Sequence, residues 1–169
     1  MDINFQGQIP GHFNDNSRVW VYQSNRAFTA KEAVQVEEFL KNFTKKWKDH
    51  GSPIEGYANL FFEHFIVLIA NEKVARVGVF STNSIMKLIK SIEKNFQVEL
   101  FDRLMHAFII QNRVKLLPLA ALNPLIEKNF ITPDTLYFNN TILTKKELLS
   151  NWIIPLKESW LSKRTHDET

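Results

Sequence analysis

The chain has 169 residues, enough for one domain of ordinary size, and its 44% hydrophobic and 23% charged content excludes global disorder. It contains no cysteine, which rules out disulfides, thiolate catalysis and any cysteine-ligated zinc or iron–sulfur centre. A net charge of +3, from 21 basic and 18 acidic residues, is too mild to mark a dedicated nucleic-acid binder.

Residues 1–17 are polar and carry Gly7, Pro10, Gly11 and the cluster Asn14-Asp15-Asn16, so they read as an irregular N-terminal arm. The opening Met1-Asp2-Ile3-Asn4-Phe5 lacks the basic-then-apolar order of a secretory signal. Residues 18–23 alternate with β-branched and aromatic side chains and predict a strand. Thr29 and Glu32 form a capping box, and Ala33, Val36, Phe39, Leu40, Phe43 and Trp47 follow at helical spacing. His50-Gly51 and Pro53 then read as the C-cap and stop signal of that helix.

Residues 55–62 and 64–70 predict two strands joined by a tight turn around Glu63-His64. Ser81, Thr82 and Asn83 are expected to cap a second helix whose apolar stripe is Ile85, Leu88, Ile89, Ile92 and Phe96. Residues 104–110 predict a strand, with Gln111-Asn112 turning into Val114-Lys115-Leu116-Leu117. Residues 121–129 predict a short helix, with Pro124 tolerated only in its first turn, and residues 135–138 another strand. Thr144 and Glu147 form a second capping box ahead of Leu148, Leu149, Trp152 and Ile153, and Pro155 ends that helix. The expected fold is one α+β domain over residues 18–164, with a polar, frayed tail at 165–169. Its sheet is mostly antiparallel with helices on one face, and a ferredoxin-like βαββαβ start is followed by a β-α-β-α extension.

Few residue patterns in the chain point to chemistry. The glycines are Gly7, Gly11, Gly51, Gly56 and Gly78, so neither a P-loop nor a dinucleotide-binding fingerprint exists. The run Phe65-Ile66-Val67-Leu68-Ile69-Ala70 ends in Asn71-Glu72, where a Walker B strand would supply a charged Asp for magnesium. His12, His50, His64, His106 and His166 have no partner at three or four residues, so no metal site is expected. His106, in an apolar strand near Asp102, reads as a half-buried core histidine. Ser81 and Ser84 lack a nucleophile-elbow context. Lys41, Lys45, Lys46 and Lys48 read as a solvated helix face.

The loop Gly78-Val79-Phe80-Ser81-Thr82-Asn83-Ser84 is the best candidate ligand site, because small polar side chains at a helix N-terminus suit an anion as well as they suit a cap. Arg18, Arg26, Asn139 and Asn140 are grouped with Gly78, Ser81, Thr82, Asn83 and Ser84 as candidate ligand-binding residues. Trp20, Trp47 and Trp152 lie on predicted apolar faces, whereas Trp160, if exposed, would mark an interface.

Several strings taken together resemble a family of small uncharacterised bacterial proteins whose members are often labelled ABC transporter ATPase. They are Arg18-Val19-Trp20-Val21-Tyr22-Gln23, Arg26, Phe28-Thr29, Trp47, His50-Gly51, Phe65-Ile66-Val67 and Phe101-Asp102-Arg103. Tyr137-Phe138-Asn139-Asn140, Trp152, Pro155 and Ser159-Trp160 complete the set. The resemblance spans residues 18–164 and implies no established activity, ligand or catalytic residue. The ATPase label finds no support in the residues: there is no Walker A, no charged Walker B and no Leu-Ser-Gly-Gly-Gln signature. In the relatives that the chain resembles, the loop after the apolar strand is similar to Gly-Cys-Ser-Ile-Asp-Ser-Ser. Val79 and Asn83 here replace its thiol and its carboxylate.

The sequence therefore predicts a cytoplasmic, non-catalytic interaction or scaffolding domain, with no cofactor, no metal and no membrane insertion. Its partner would be another protein or a second copy of itself, and specific nucleic-acid binding is not expected. The alternative is a small-molecule or anion-binding protein, or a small enzyme, with its pocket at the 78–84 loop.

Overall fold

The computed structural model describes residues 1–72 and 79–165, and for residues 79–81 the backbone alone. It is an α+β fold with antiparallel sheets. Its contacts divide the chain into two compact units. The larger comprises Asn4–Asp102 with Ile142–Leu149; the smaller comprises Met1–Ile3, Arg103–Thr141 and Ser150–Thr169.

In the larger unit, β1 (Arg18–Gln23), β4 (Gly56–Phe61) and β5 (Phe65–Ala70) form a sheet in the order β1-β5-β4, antiparallel throughout. Strands β1 and β4 therefore run parallel with β5 between them and α1 (Ala30–Lys46) crossing over, which is the split βαβ arrangement. The register aligns Trp20, Leu68 and Ala58 across the sheet, and Tyr22, Ile66 and Leu60 one pleat away. That face meets Val36 and Leu40 of α1 and Ile85, Leu88, Ile89, Ile92 and Phe96 of α2 (Val79–Phe96).

The opposite face carries Val19, Phe61, Phe65, Val67 and Ile69, all buried. The N-terminal arm supplies cover there. Phe5 stands edge-on to Phe61 and Phe62, with ring centroids at 6.1 and 6.4 Å, and Ile9 and Phe13 are buried as well. The Lys145 ammonium holds the arm by donating to the Phe13 carbonyl at 2.7 Å and the Gly11 carbonyl at 3.2 Å. A strand covered on both faces reads as a continuous apolar run, which is why Phe65–Ala70 shows no alternation.

The expected fourth strand of a ferredoxin-like sheet does not join this one. Along the outer edge of β1, the Val19 N–H donates to the Leu143 carbonyl at 2.9 Å, and Arg18 bridges Thr144. Strand β6 (Met105–Ile110) pairs instead within the smaller unit.

Local signals account for most boundaries. The first capping box is formed in both directions: the Glu32 N–H donates to Thr29 Oγ1 at 3.2 Å, and the Thr29 N–H donates to Glu32 Oε2 at 2.8 Å. The second box repeats this between Thr144 and Glu147 at the start of α4 (Lys145–Asn151). Helix α2 ends with Gln97 at φ +53° and the Val98 N–H on the Glu93 carbonyl, a Schellman closure.

Four boundaries differ from the sequence reading. Helix α1 stops at Lys46, and His50-Gly51 is not its cap. Those two residues form the turn between β2 (Lys48–Asp49) and β3 (Ser52–Pro53), with φ of 48° and 82°. Trp47 leaves the helix in extended conformation because its indole fills the core, lying over Gly56 so closely that a Cβ there would collide with Cε3. Helix α2 begins at Val79, so Ser81, Thr82 and Asn83 are helical residues rather than its cap. Helix α4 ends at Asn151, and Ile153–Pro155 is strand β9. Last, residues 161–164, for which the sequence predicts no element, form the short helix α5 (Leu161–Arg164), anchored by the fully buried Leu161.

The smaller unit is built on a four-stranded antiparallel sheet in the order β7-β6-β8-β9, with β7 at Arg113–Pro118 and β8 at Leu136–Phe138. One face packs Phe108, Tyr137 and Ile154 against Leu122 of α3 (Leu122–Glu127), Ile131, Leu156 and Leu161. Gln111 and Asn112 turn β6 into β7 with φ of 51° and 59°. Among the described residues, no helix is long and apolar enough to cross a membrane.

Candidate functional site

The residues grouped from sequence fall on different elements. Gly78 lies outside the described residues, as does the Ser81 side chain. Thr82, Asn83 and Ser84 belong to the first turns of α2, with Asn83 exposed and the other two half-buried.

Arg26 is committed to a clamp. Its guanidinium binds the Glu32 carboxylate through both Nη atoms at 2.9 Å and donates to the Phe96 carbonyl at 2.7 Å. It thus joins the start of α1 to the last turn of α2, where an orphan carbonyl welcomes a cation. The clamp holds the Glu32 carboxyl at a pKa of about 2, first through the Arg26 hydrogen bond and then through the Thr29 N–H. Arg18 is exposed and lies over the Trp20 ring at 5.1 Å.

Asn139 and Asn140 belong to the smaller unit and are occupied locally. Asn139 Oδ1 accepts from Thr141 Oγ1 at 2.6 Å, and Asn140 Oδ1 accepts from Trp152 Nε1 at 3.0 Å. Both are engaged in ordering the turn after β8 and fixing the buried Trp152.

Two other groupings emerge from the tertiary structure. In the smaller unit, Trp160 is 40% exposed and stands edge-on to His106, with centroids 5.6 Å apart. Its indole N–H donates to the Tyr137 hydroxyl, and the Arg164 guanidinium lies 5.7 Å from its ring. Burial pushes the His106 pKa below its usual 6.5, so the ring is neutral at pH 7. The pair Met105↔Pro118 ends the β6–β7 ladder, which brings Leu104 and Leu119, 79% and 37% exposed, to that same end of the sheet. Trp160 stands out in the sequence as a tryptophan beyond the predicted helices; Leu104 and Leu119 carry no signal until the hairpin register places them.

In the larger unit, a polar relay runs inward from the arm. His12 Nε2 meets Glu55 Oε1 at 2.6 Å, Glu55 Oε2 accepts from Asn71 Nδ2 at 2.7 Å, and Asn71 Oδ1 accepts from the Asn14 N–H at 3.2 Å. Ser17 Oγ also donates to Asn71 Oδ1, at 3.4 Å. Asn71, which stands where a Walker B strand would carry Asp, is thus a buried hub tying the arm to the sheet. Lys41, Lys45, Lys46 and Lys48 are all exposed. Among the described residues, no group of three or more His, Asp or Glu side chains could hold a metal ion.

No family model, no curated protein and no solved structure matches this chain.

Proposed function

We propose that this chain is a non-catalytic interaction module and that the smaller unit carries its contact surface at the Trp160 end of the sheet. The observation behind this reading is the half-exposed Trp160, held by His106, Tyr137 and Arg164 on a sheet whose β6–β7 ladder ends beside the exposed Leu104 and Leu119. A rigid aromatic anchor with aliphatic neighbours and a cationic rim is the composition of an interface hot spot. An isolated exposed leucine needs no explanation, but an aromatic held by three side chains and grouped with two of them does. The proposal extends to membership of the bacterial family that the motifs resemble, and to a cytoplasmic location.

The test places a photo-crosslinking phenylalanine analogue at Trp160 in the full chain, in cells. The expected result is one adduct of defined mass, weakened about tenfold by Leu104→Ser. Absence of any adduct, together with sedimentation as a monomer at all concentrations, would overturn the reading.

A second reading, a small-molecule site, draws on the His12–Glu55–Asn71 relay. A carboxylate holding Nε2, itself held by a buried amide, would fix an imidazole in one tautomer. Glu55→Gln would then release the His12 ring from that tautomer, read from its ring-nitrogen shifts by NMR; unchanged shifts would dismiss this reading.

A further inference from the structure

We infer that the outer edge of β7 accepts an extended acidic segment of a partner protein as a fifth strand of the smaller unit's sheet. The inference rests on the reading of this chain as an interaction module and names the kind of partner it fits.

The two-residue turn Gln111-Asn112 makes Ile110↔Arg113 a hydrogen-bonded pair, and antiparallel alternation makes Phe108↔Lys115 and His106↔Leu117 the next ones. Val114 and Leu116 therefore direct their N–H and C=O groups away from β6. Those groups have no partner among the described residues, since β7 is the outermost strand of its sheet. They offer the main-chain half of a β-augmentation site.

The side chains select the occupant. Arg113, Lys115 and Leu117 share the face of Phe108 and Ile110, with Arg113 and Lys115 exposed. Val114 and Leu116 lie half-buried on the other face. An added strand would stand two of its residues opposite Arg113 and Lys115, where opposite charge stabilises and like charge repels. Between them it would set apolar residues beside Val114 and Leu116. Leu117 pairs with His106, whose ring rests on Trp160, so the added strand continues the surface proposed above.

The same rule disfavours a second copy of this chain. If Val114 of one copy met Leu116 of the other, Lys115 would oppose Lys115. If Val114 met Val114, Arg113 would oppose Lys115. If Leu116 met Leu116, Val114 would face Pro118, which has no N–H to donate. Each antiparallel register either sets like charges together or loses a hydrogen bond, and the acidic strand has neither defect.

The experiment uses the full chain and two fluorescein-labelled peptides, Ser-Val-Val-Glu-Val-Glu-Ser and its counterpart with Lys in place of Glu, compared by anisotropy at low salt. The acidic peptide should bind at least tenfold more tightly. Lys115→Glu, an exposed change that leaves the core untouched, should weaken it about tenfold. Amide hydrogen exchange supplies the second readout: added peptide should protect the Val114 and Leu116 amides and leave that of Lys115, already in the ladder, unchanged. Equal binding of both peptides, no binding of either, or binding without that alternating protection would overturn the inference. None of these outcomes touches the Trp160 crosslink, so the two readings can fail separately.

Discussion

Strands β5 and β7 are both antiparallel and six residues long, yet they represent opposite conditions for a β-strand. Every residue of β5 is buried, because helices α1 and α2 cover one face and the arm supplies Phe5, Ile9 and Phe13 on the other. Strand β7 has one neighbour, alternates charged and aliphatic side chains, and ends in proline. The first is the place where this protein is held together. The second shows the devices that keep an open edge from indiscriminate pairing, namely Arg113, Lys115 and Pro118, and those devices also decide what can pair there. The two strands should therefore respond to different substitutions.

The largest effects should separate the two strands. Leu68→Ala removes a fully buried side chain facing both helices and should cost about 2–5 kcal/mol in urea denaturation. Leu116→Ala, half-buried on an edge, should cost roughly 1 kcal/mol or less. Equal losses would break the contrast. Gly56→Ala should cost about 1–3 kcal/mol, because the added methyl meets the body of the buried Trp47 indole, which cannot swing aside. A neutral result would mean that Trp47 has room the structure does not show.

Acid should act on both units in sequence. Burial lowers the His106 and His64 pKa values, so the unfolded chain takes up these protons first. Their contribution is complete above pH 6.5 and is lost as the pH falls through the lower folded values. The Glu32 carboxyl, at about 2 when folded against 4.5 ordinarily, adds a second loss as the pH drops below 4.5. Urea midpoints measured from pH 8 to pH 3 should therefore fall in two stages. His106→Gln should diminish the first, and Glu32→Gln should abolish the second.

The smallest effect should be a gain. Asn112 sits at φ +59° in a two-residue hairpin turn, and Asn112→Gly should stabilise by a few tenths of a kcal/mol, up to about 1, by removing the left-handed penalty. A loss would show that the Asn side chain stabilises the turn more than its backbone strains it.

The capping boxes at Thr29 and Thr144, the apolar stripe from Ile85 to Phe96, the uninterrupted run of β5 and the turn at Gln111-Asn112 were legible in the residues alone. Each depends on neighbours three or four positions away or fewer, and such signals survive whatever the rest of the chain does. The α+β class follows from them.

What the residues could not express was partnership at a distance. Trp47 continues the helical spacing of α1, but its indole belongs over Gly56, so the helix ends one residue earlier and His50-Gly51 becomes a hairpin turn. Ile153 extends the apolar pattern of α4, but it pairs with Phe138 as a strand. Arg26 reads as a free cation until the Phe96 carbonyl, 70 residues away, takes up its guanidinium. Leu104, Leu119 and Trp160 are scattered in the chain and share one end of a sheet only through the β6–β7 register. Periodicity encodes which face of an element is apolar; which element comes to cover it, and which edge is left open, is set by packing between residues far apart in sequence.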